Sequence, residues 1–248
     1  MFKATFKDDK QFSNIINVIK DLINDTKIYI TGNGLHMSTM DANHICLCKF
    51  NLDRDLFSEF LCDEKAEIGF NINIVSKILN CSSNIDSLSL ELENEDSDKI
   101  KIYFTGDYSM TFNINLINLE NSIQNIDDSN YNNCIKLESK KFNTIIKDLQ
   151  IIGDTIELIC ENNNIIFKTT GDNGELEIKL IEDDTINIQN NESYSDKFSL
   201  VYLSTFTKAL AVSNFVTLKL LNNSPMIVEF YINETEMSYL KFYLAPKI

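Results

Sequence analysis

"KKFNTIIKDLQIIGDTIEL", residues 140–158, restates most of "KQFSNIINVIKDLINDTKIYI", residues 10–30. Each stretch opens on a basic residue and a phenylalanine and passes through paired isoleucines to Asp-Leu. Each then reaches Asp-Thr ahead of an alternating apolar run. The offset barely drifts. Phe12 and Phe142, Ile15 and Ile145, and Ile16 and Ile146 stand 130 positions apart, and Asp25-Thr26 and Asp154-Thr155 stand 129 apart. A one-residue insertion restores 130 for Gly34-Leu35 against Asn164-Ile165 and for Met37 against Phe167. Lys77 of "VSKIL" then faces Lys208 of "FTKAL" at 131. A register kept through helix-like and strand-like runs alike marks a duplicated domain. Chance matching of Ile-rich segments would not keep it.

Each half reads as a helix, a strand run, a short second helix and more strands. In residues 10–23 the apolar positions Phe12, Ile15, Ile16, Ile19, Leu22 and Ile23 follow i, i+3, i+4 spacing and fill one stripe. Phe142, Ile145, Ile146, Leu149 and Ile152 repeat it in residues 140–152. Alternating segments follow, with "TGNG" and "ENNN" supplying the Gly and Asn residues that tight hairpins need. The second helices are expected at "INIVSKILN" and "VYLSTFTKALAVS". The fold expected is α+β: two topologically similar domains of mostly antiparallel sheet with helices on one face. "INLENSIQNIDDSNYNN", which starts at Ile117, is polar and aperiodic and reads as a connector. The boundaries expected are residues 1–116, a connector at 117–130, and residues 131–248.

With 44% hydrophobic and 24% charged residues over 248 positions, the chain is globular and large enough for two cores. No apolar run approaches the roughly 20 residues of a spanning helix, and "MFKATFKDDK" does not read as a signal peptide. A soluble intracellular protein is expected. Cys46, Cys48, Cys62, Cys81, Cys134 and Cys160 lack zinc-ligand spacing and read as small core residues of a reducing compartment. There are two histidines (His36 and His44), no phosphate-binding glycine loop and no His-Glu-x-x-His. Neither an enzyme, a metal nor a cofactor is expected.

The net charge of −15 argues against nucleic-acid binding only if the charge is spread evenly. It is not. Opposite the first apolar stripe lie Lys10, Asn14, Asn17 and Asp21, with Lys20 at the edge; on the second long helix lie Lys140, Thr144 and Lys147. Lys77 and Lys208 occupy matching places on the short helices, while acids crowd into "ELENEDSD" (91–98), "DD" (127–128) and "EDD" (182–184). Helices aligned in one concavity would follow a phosphate backbone without reading bases.

Six stretches carry a family resemblance: the opening "MF-A", "KDLIND" (20–25), "MDANHICL" (40–47), "VSKILNC" (75–81), "IIGDTIELIC" (151–160) and "LKFYLAPKI" (240–248). Together they resemble the eukaryotic-type sliding clamps of DNA polymerases, the proliferating cell nuclear antigen family, essentially end to end. The resemblance implies a homotrimeric ring around double-stranded DNA, with antiparallel sheets outside and helices lining the interior. DNA-facing residues would then be Lys10, Lys20, Lys77, Lys140, Lys147 and Lys208. It also implies a subunit interface of Thr111, Phe112, Ile114 and Leu116 against Glu175, Ile178 and Leu180. A pocket for partner peptides with an aromatic plug would use Met40, His44, Ile45, Leu47, Ile123, Ile126, Pro225, Tyr243, Ala245, Pro246 and Ile248.

The partners implied are DNA polymerase, other replication and repair proteins, an ATP-dependent clamp loader and further copies of the chain. The site of action would be the nucleus, or a cytoplasmic replication site for a viral chain. Asn14, Asn80, Thr144 and Val201 stand where the family is often basic, which implies weaker contact with DNA. A checkpoint-type heterotrimer subunit, a monomeric clamp relative, a hydrolase with an unidentified carboxylate pair and an acidic DNA mimic are the alternatives.

Overall fold

The computed structural model describes residues 1–248 except 82–84, 95–96, 121–125, 127, 162–163, 191, 234 and 248. It divides into two compact units. The first holds residues 1–42, 48–124 and 235–239; the second holds 43–47, 125–234 and 240–248.

The first unit contains β1 (Phe2–Phe6), α1 (Asp9–Ile19), β2 (Asp25–Thr31), β3 (Gly34–Met40) and most of β4 (Cys46–Asp53). A 3-10 turn at Arg54–Leu56 leads to β5 (Phe57–Cys62) and β6 (Ala66–Asn71). Then come α2 (Ile72–Leu79), β7 (Ile85–Leu92), β8 (Lys99–Gly106) and β9 (Met110–Asn115). One sheet is ordered β5-β1-β7-β8-β9, and the second runs β4-β3-β2-β6 within this unit.

The second unit contains β10 (Asn133–Glu138), α3 (Ser139–Gln150), β11 (Thr155–Glu161), β12 (Asn164–Gly171) and β13 (Gly174–Leu180). β14 (Ile186–Asn190), β15 (Tyr194–Ser199) and α4 (Leu200–Phe206) follow, then a 3-10 segment at Thr207–Ala211. β16 (Phe215–Leu220), β17 (Met226–Tyr231) and β18 (Tyr239–Leu244) close the chain. Its strands are ordered β14-β10-β16-β17-β18 and β13-β12-β11-β15. Both units therefore run β-α-five strands-α-three strands, and their sheet orders map one onto the other. The repeat in the sequence is a repeat of topology.

The helix stripes pack as their spacing predicts. Phe12, Ile15, Ile16, Ile19 and Ile23 are buried, as are Phe142, Ile145, Ile146 and Leu149; Leu22 and Ile152 are half-buried. Ring contacts join helices to sheets: Phe6 of β1 stacks on Phe12 of α1 at 5.1 Å, and Phe206 of α4 stacks on Phe242 of β18 at 4.2 Å. Gln11 and Val18 are buried beside the first stripe, which is wider than periodicity alone marks.

Local signals set the ends of the elements. The Asp8 carboxylate accepts from the Lys10 amide at 3.0 Å and starts α1; the Asn71 side chain accepts from the Ile74 amide at 3.2 Å and starts α2. The β2–β3 hairpin turns through Gly32 and Asn33, and Gly34 adopts φ 138° where an added Cβ would collide with the Leu52 carbonyl. Two expected helices differ in extent. α1 ends at Ile19, and residues 20–22 form a turn. The helix expected at residues 201–213 is two pieces, α4 and the tighter 3-10 segment. There Thr205 Oγ1 donates to the Val201 carbonyl at 3.3 Å and Thr207 Oγ1 to the Ser204 carbonyl at 2.8 Å. Such back-bonding competes with the regular ladder.

Candidate functional site

The helices carry a local excess of positive charge. α1–α4 and the 3-10 segment together contain six lysines (Lys10, Lys77, Lys140, Lys141, Lys147 and Lys208) against two acids, Asp9 and Asp148. The whole chain has 22 basic and 37 acidic residues. Lys10, Lys77, Lys140, Lys147 and Lys208 are all exposed.

Among the described residues no ion pair engages Lys10, Lys77, Lys140 or Lys147, so their ammoniums are carried as uncompensated charge. Many lysines elsewhere are engaged: Lys3 with Glu59 at 2.7 Å, Lys27 with Glu67 at 2.8 Å, Lys101 with Glu93 at 2.7 Å and Lys168 with Glu175 at 3.1 Å. On α3, Lys141 points to Asp183 at 3.2 Å, while Lys140 and Lys147, seven residues apart, share another face. The segment holding Lys208 packs against α3.

In the first unit a polar network joins α1 to α2. Asn17 Oδ1 accepts from Ser76 Oγ at 2.8 Å, Asn80 Nδ2 at 3.0 Å and Lys20 Nζ at 3.1 Å. Asn17 Nδ2 donates in return to Asn80 Oδ1 at 3.1 Å, and Lys20 Nζ also reaches Ser76 Oγ at 3.3 Å. Lys20 is half-buried, and these partners are all neutral, so its charge is held in place without being cancelled. Sequence reading placed Lys20 at the edge of the outward face but did not see that amides tie α1 to α2.

The strands expected to join subunits are both sheet edges. β9 ends the order β5-β1-β7-β8-β9, and β13 ends the order β13-β12-β11-β15. Phe112, Ile114 and Leu116 are half-buried and alternate with exposed Thr111, Asn113 and Asn115; Leu116 follows β9, its amide donating to the Asp98 carbonyl at 2.8 Å. On β13, half-buried Leu176 and Ile178 alternate with exposed Glu175, Glu177 and Lys179, and Leu180 is buried. Each edge thus has an apolar face and a polar one.

Of the expected peptide pocket, Ile123 and Ile248 lie outside the described residues. Met40 is half-buried at the end of β3 in the first unit. His44, Ile45, Leu47, Ile126, Pro225, Tyr243, Ala245 and Pro246 belong to the second unit. There, Ile45 is 39% exposed and its carbonyl accepts from the Ala245 amide at 2.9 Å, which brings those two together. His44 is exposed with φ 57°; Ile126, Pro225, Ala245 and Pro246 are half-buried. Leu47 and Tyr243 are 2% and 3% exposed. The Tyr131 hydroxyl donates to the Pro225 carbonyl at 2.8 Å, and burial, aided by the Asp128 charge, pushes that phenol up to about 12.

One constellation was missed. Glu229 on β17 is fully buried, yet it accepts from Lys219 at 2.9 Å, Lys241 at 2.7 Å and the Tyr231 hydroxyl at 2.8 Å. Lys241 also reaches Asp128 at 3.1 Å, and the Tyr243 hydroxyl donates to both Asp128 oxygens at 2.9 Å. Burial opposes the charge on Lys241, but Glu229 and Asp128 outweigh it and raise its pKa. The signal was a lone glutamate inside the apolar run "PMIVEFYI". A separate cleft of about 540 Å³ in the first unit is lined by residues such as Glu91, Glu93, Asp98 and Lys101 and includes none of the expected site residues.

Residues 1–127 match the family described as proliferating cell nuclear antigen, N-terminal domain, and residues 125–247 match proliferating cell nuclear antigen, C-terminal domain. The chain therefore belongs to the proliferating cell nuclear antigen family, the non-enzymatic sliding clamps that serve as processivity factors in DNA replication and repair.

Proposed function

We propose that this clamp works as a homotrimeric ring that encircles duplex DNA and tethers a polymerase to it. The observation that carries the reading is charge placement. Among the described residues Lys10 and Lys77 of one unit and Lys140 and Lys147 of the other have no acidic partner, and Lys77 and Lys208 hold matching places of the repeat, in a chain whose net charge is −15. Lys10, Lys20, Lys77, Lys140, Lys147 and Lys208 would neutralise phosphates in a sequence-independent way, since the contact is with backbone charge. The engaged lysines of the sheets cannot do this without giving up their carboxylates.

Ring closure would pair β9 of one copy with β13 of the next. Thr111, Phe112, Ile114 and Leu116 would meet Glu175, Ile178 and Leu180, with apolar faces meeting and backbone bonds completed along both edges. Head-to-tail contacts of this kind form closed rings when the rotation per subunit allows it. Covering the edges also removes a template for aggregation.

Polymerases and repair proteins would dock through a short peptide with an aromatic plug. The pocket proposed is Met40, His44, Ile45, Leu47, Ile123, Ile126, Pro225, Tyr243, Ala245, Pro246 and Ile248, with residues 117–130 as connector between domains at 1–116 and 131–248. An ATP-dependent loader would open the ring, and the work would take place in the nucleus or at a viral replication site. The exposed Ile45 beside Ala245 supports a peptide-binding role, because an apolar patch with a polar rim suits such a partner.

Mass in solution and retention on DNA test the proposal together. Three copies per particle, loader-dependent retention on a nicked circle and release on linearisation are expected. A stable single copy would favour a monomeric clamp relative, and assembly only with other clamp subunits would favour a heterotrimeric ring. Loss from the closed circle as fast as from the linear form would refute encirclement.

A further inference from the structure

We infer that Asp128 is a positioning residue for partner docking: its carboxylate clasps the end of the connector to the C-terminal strand and so holds the peptide pocket ready. The inference rests on the docking role proposed above and adds a mechanism to it.

The geometry is specific. Asp128 lies two residues beyond Ile126, the described connector residue assigned to the pocket. Its carboxylate accepts from Lys241 Nζ at 3.1 Å and from the Tyr243 hydroxyl at 2.9 Å. Both donors sit on β18, immediately before Ala245 and Pro246. Lys241 is anchored from behind, at 2.7 Å, by the buried Glu229, which also holds Lys219 at 2.9 Å. Among the described residues the four charges balance, two carboxylates against two ammoniums.

Lys241 is therefore a fixed post. Its side chain is only 12% exposed, and it would keep a carboxylate partner if Asp128 were lost. Asp128 is the removable half, its side chain 27% exposed. Three residues on, the Tyr131 hydroxyl bonds the Pro225 carbonyl at 2.8 Å and pins the same segment again. A surface ion pair alone would carry little weight. This pair is charge-assisted, shared with a buried glutamate, and joined by a tyrosine hydroxyl at the same acceptor.

The consequence concerns affinity more than folding. A ligand whose site is assembled only part of the time binds more weakly in proportion to the assembled fraction. Releasing Asp128 lowers that fraction and leaves the Glu229 cluster intact. Full-length protein with Asp128→Asn, Asp128→Ala or Asp128→Glu is compared with the parent. Three readouts are taken: binding of a fluorescent synthetic peptide carrying an aromatic plug, melting temperature, and amide exchange across residues 126–131.

The expected result is about ten-fold weaker peptide binding for the Asn and Ala variants, mostly as slower apparent association, with partial recovery in Asp128→Glu. Exchange across 126–131 should quicken, and melting should move by no more than a few degrees. If the parent binds and the Asn and Ala variants bind equally well, the inference is overturned and the docking role stands. If the parent itself fails to bind, the docking role is refuted, and the inference about docking falls with it. Unchanged exchange at 126–131 overturns the clasp in either case.

Discussion

Removing two unpaired lysines from the helices should change the salt dependence of DNA binding in a way that removing two paired lysines does not. The variants are Lys140→Ala/Lys147→Ala on α3 and, as the control, Lys3→Ala/Lys101→Ala on the sheet of the first unit. Both double variants alter net charge by the same amount. Their difference is local: Lys3 and Lys101 lie 2.7 Å from the carboxylates of Glu59 and Glu93, whereas Lys140 and Lys147 form no ion pair among the described residues. Each ammonium that neutralises a phosphate contributes about 0.9 to the slope of log affinity against log salt, so two contacts contribute about 1.8 per subunit engaged. Over a four-fold rise in salt that is roughly a ten-fold smaller loss of affinity. The assay is anisotropy of a short linear duplex across a salt series, where encirclement cannot mask contact. Lys20→Ala should move the slope less than Lys77→Ala, because the Asn17 and Ser76 bonds hold Lys20 half-buried between the helices. Equal slopes for the α3 pair and the control would mean that binding reads total charge, and the assignment of the helix face would be wrong.

Ile178→Asp puts a charge on the half-buried face of β13 and should convert a trimer to single copies by light scattering, with melting little changed; a persistent trimer would refute the proposed edge. Glu229→Ala should destabilise the fold by about 3–5 kcal/mol in urea titration, because it strands Lys219 and Lys241 without their shared carboxylate. A loss below about 1 kcal/mol would show that water replaces the glutamate. Asp183 is held down to about 2 by the Thr185 hydroxyl and amide, with Lys141 adding to them. Its unfolded value is near 3.8, so its contribution to stability is complete above that pH and disappears as pH falls through about 2. Carbon-detected titration should find this value, and Thr185→Val should raise it; an ordinary value in the parent would refute the bonded geometry.

The parts of the fold legible in the sequence are those decided by neighbours a few positions apart. The stripes of α1 and α3 needed only i, i+3, i+4 spacing, and the β2–β3 hairpin needed only its Gly and Asn. The repeat extended that reach, since any feature found in one half could be sought in the other. Periodicity did not mark where one helical form gives way to a tighter one. Thr205 and Thr207 bond carbonyls of their own segment, and the expected single helix becomes α4 and a 3-10 segment. It also failed where polar groups met across long separations. Asn17 and Asn80 are 63 positions apart, and Asp128 and Tyr243 are 115 apart. Nothing in a local window distinguishes such an asparagine from a solvated one.

The same distinction explains why net charge misleads for this chain. A carboxylate cancels a lysine only at contact distance or within a screening length, about 8 Å at physiological salt. Some acids on or beside the sheets are spent on sheet lysines, as at Glu59, Glu67, Glu93 and Glu175, while the helices hold only Asp9 and Asp148 against six lysines. Local sign therefore follows secondary structure, and the excess of acids decides solubility and long-range repulsion rather than the contact itself. The neutral Asn17–Asn80 network adds a second effect. It orders the junction of α1 and α2 and leaves Lys20 as a held charge where a denser basic cluster would repel itself. On the proposed reading, a clamp built this way would grip the duplex loosely, and low friction would suit a ring that moves along it. Restoring charge by Asn80→Lys should therefore strengthen contact with linear duplex and slow diffusion along it. Stronger binding with unchanged diffusion would separate grip from mobility and refute that link.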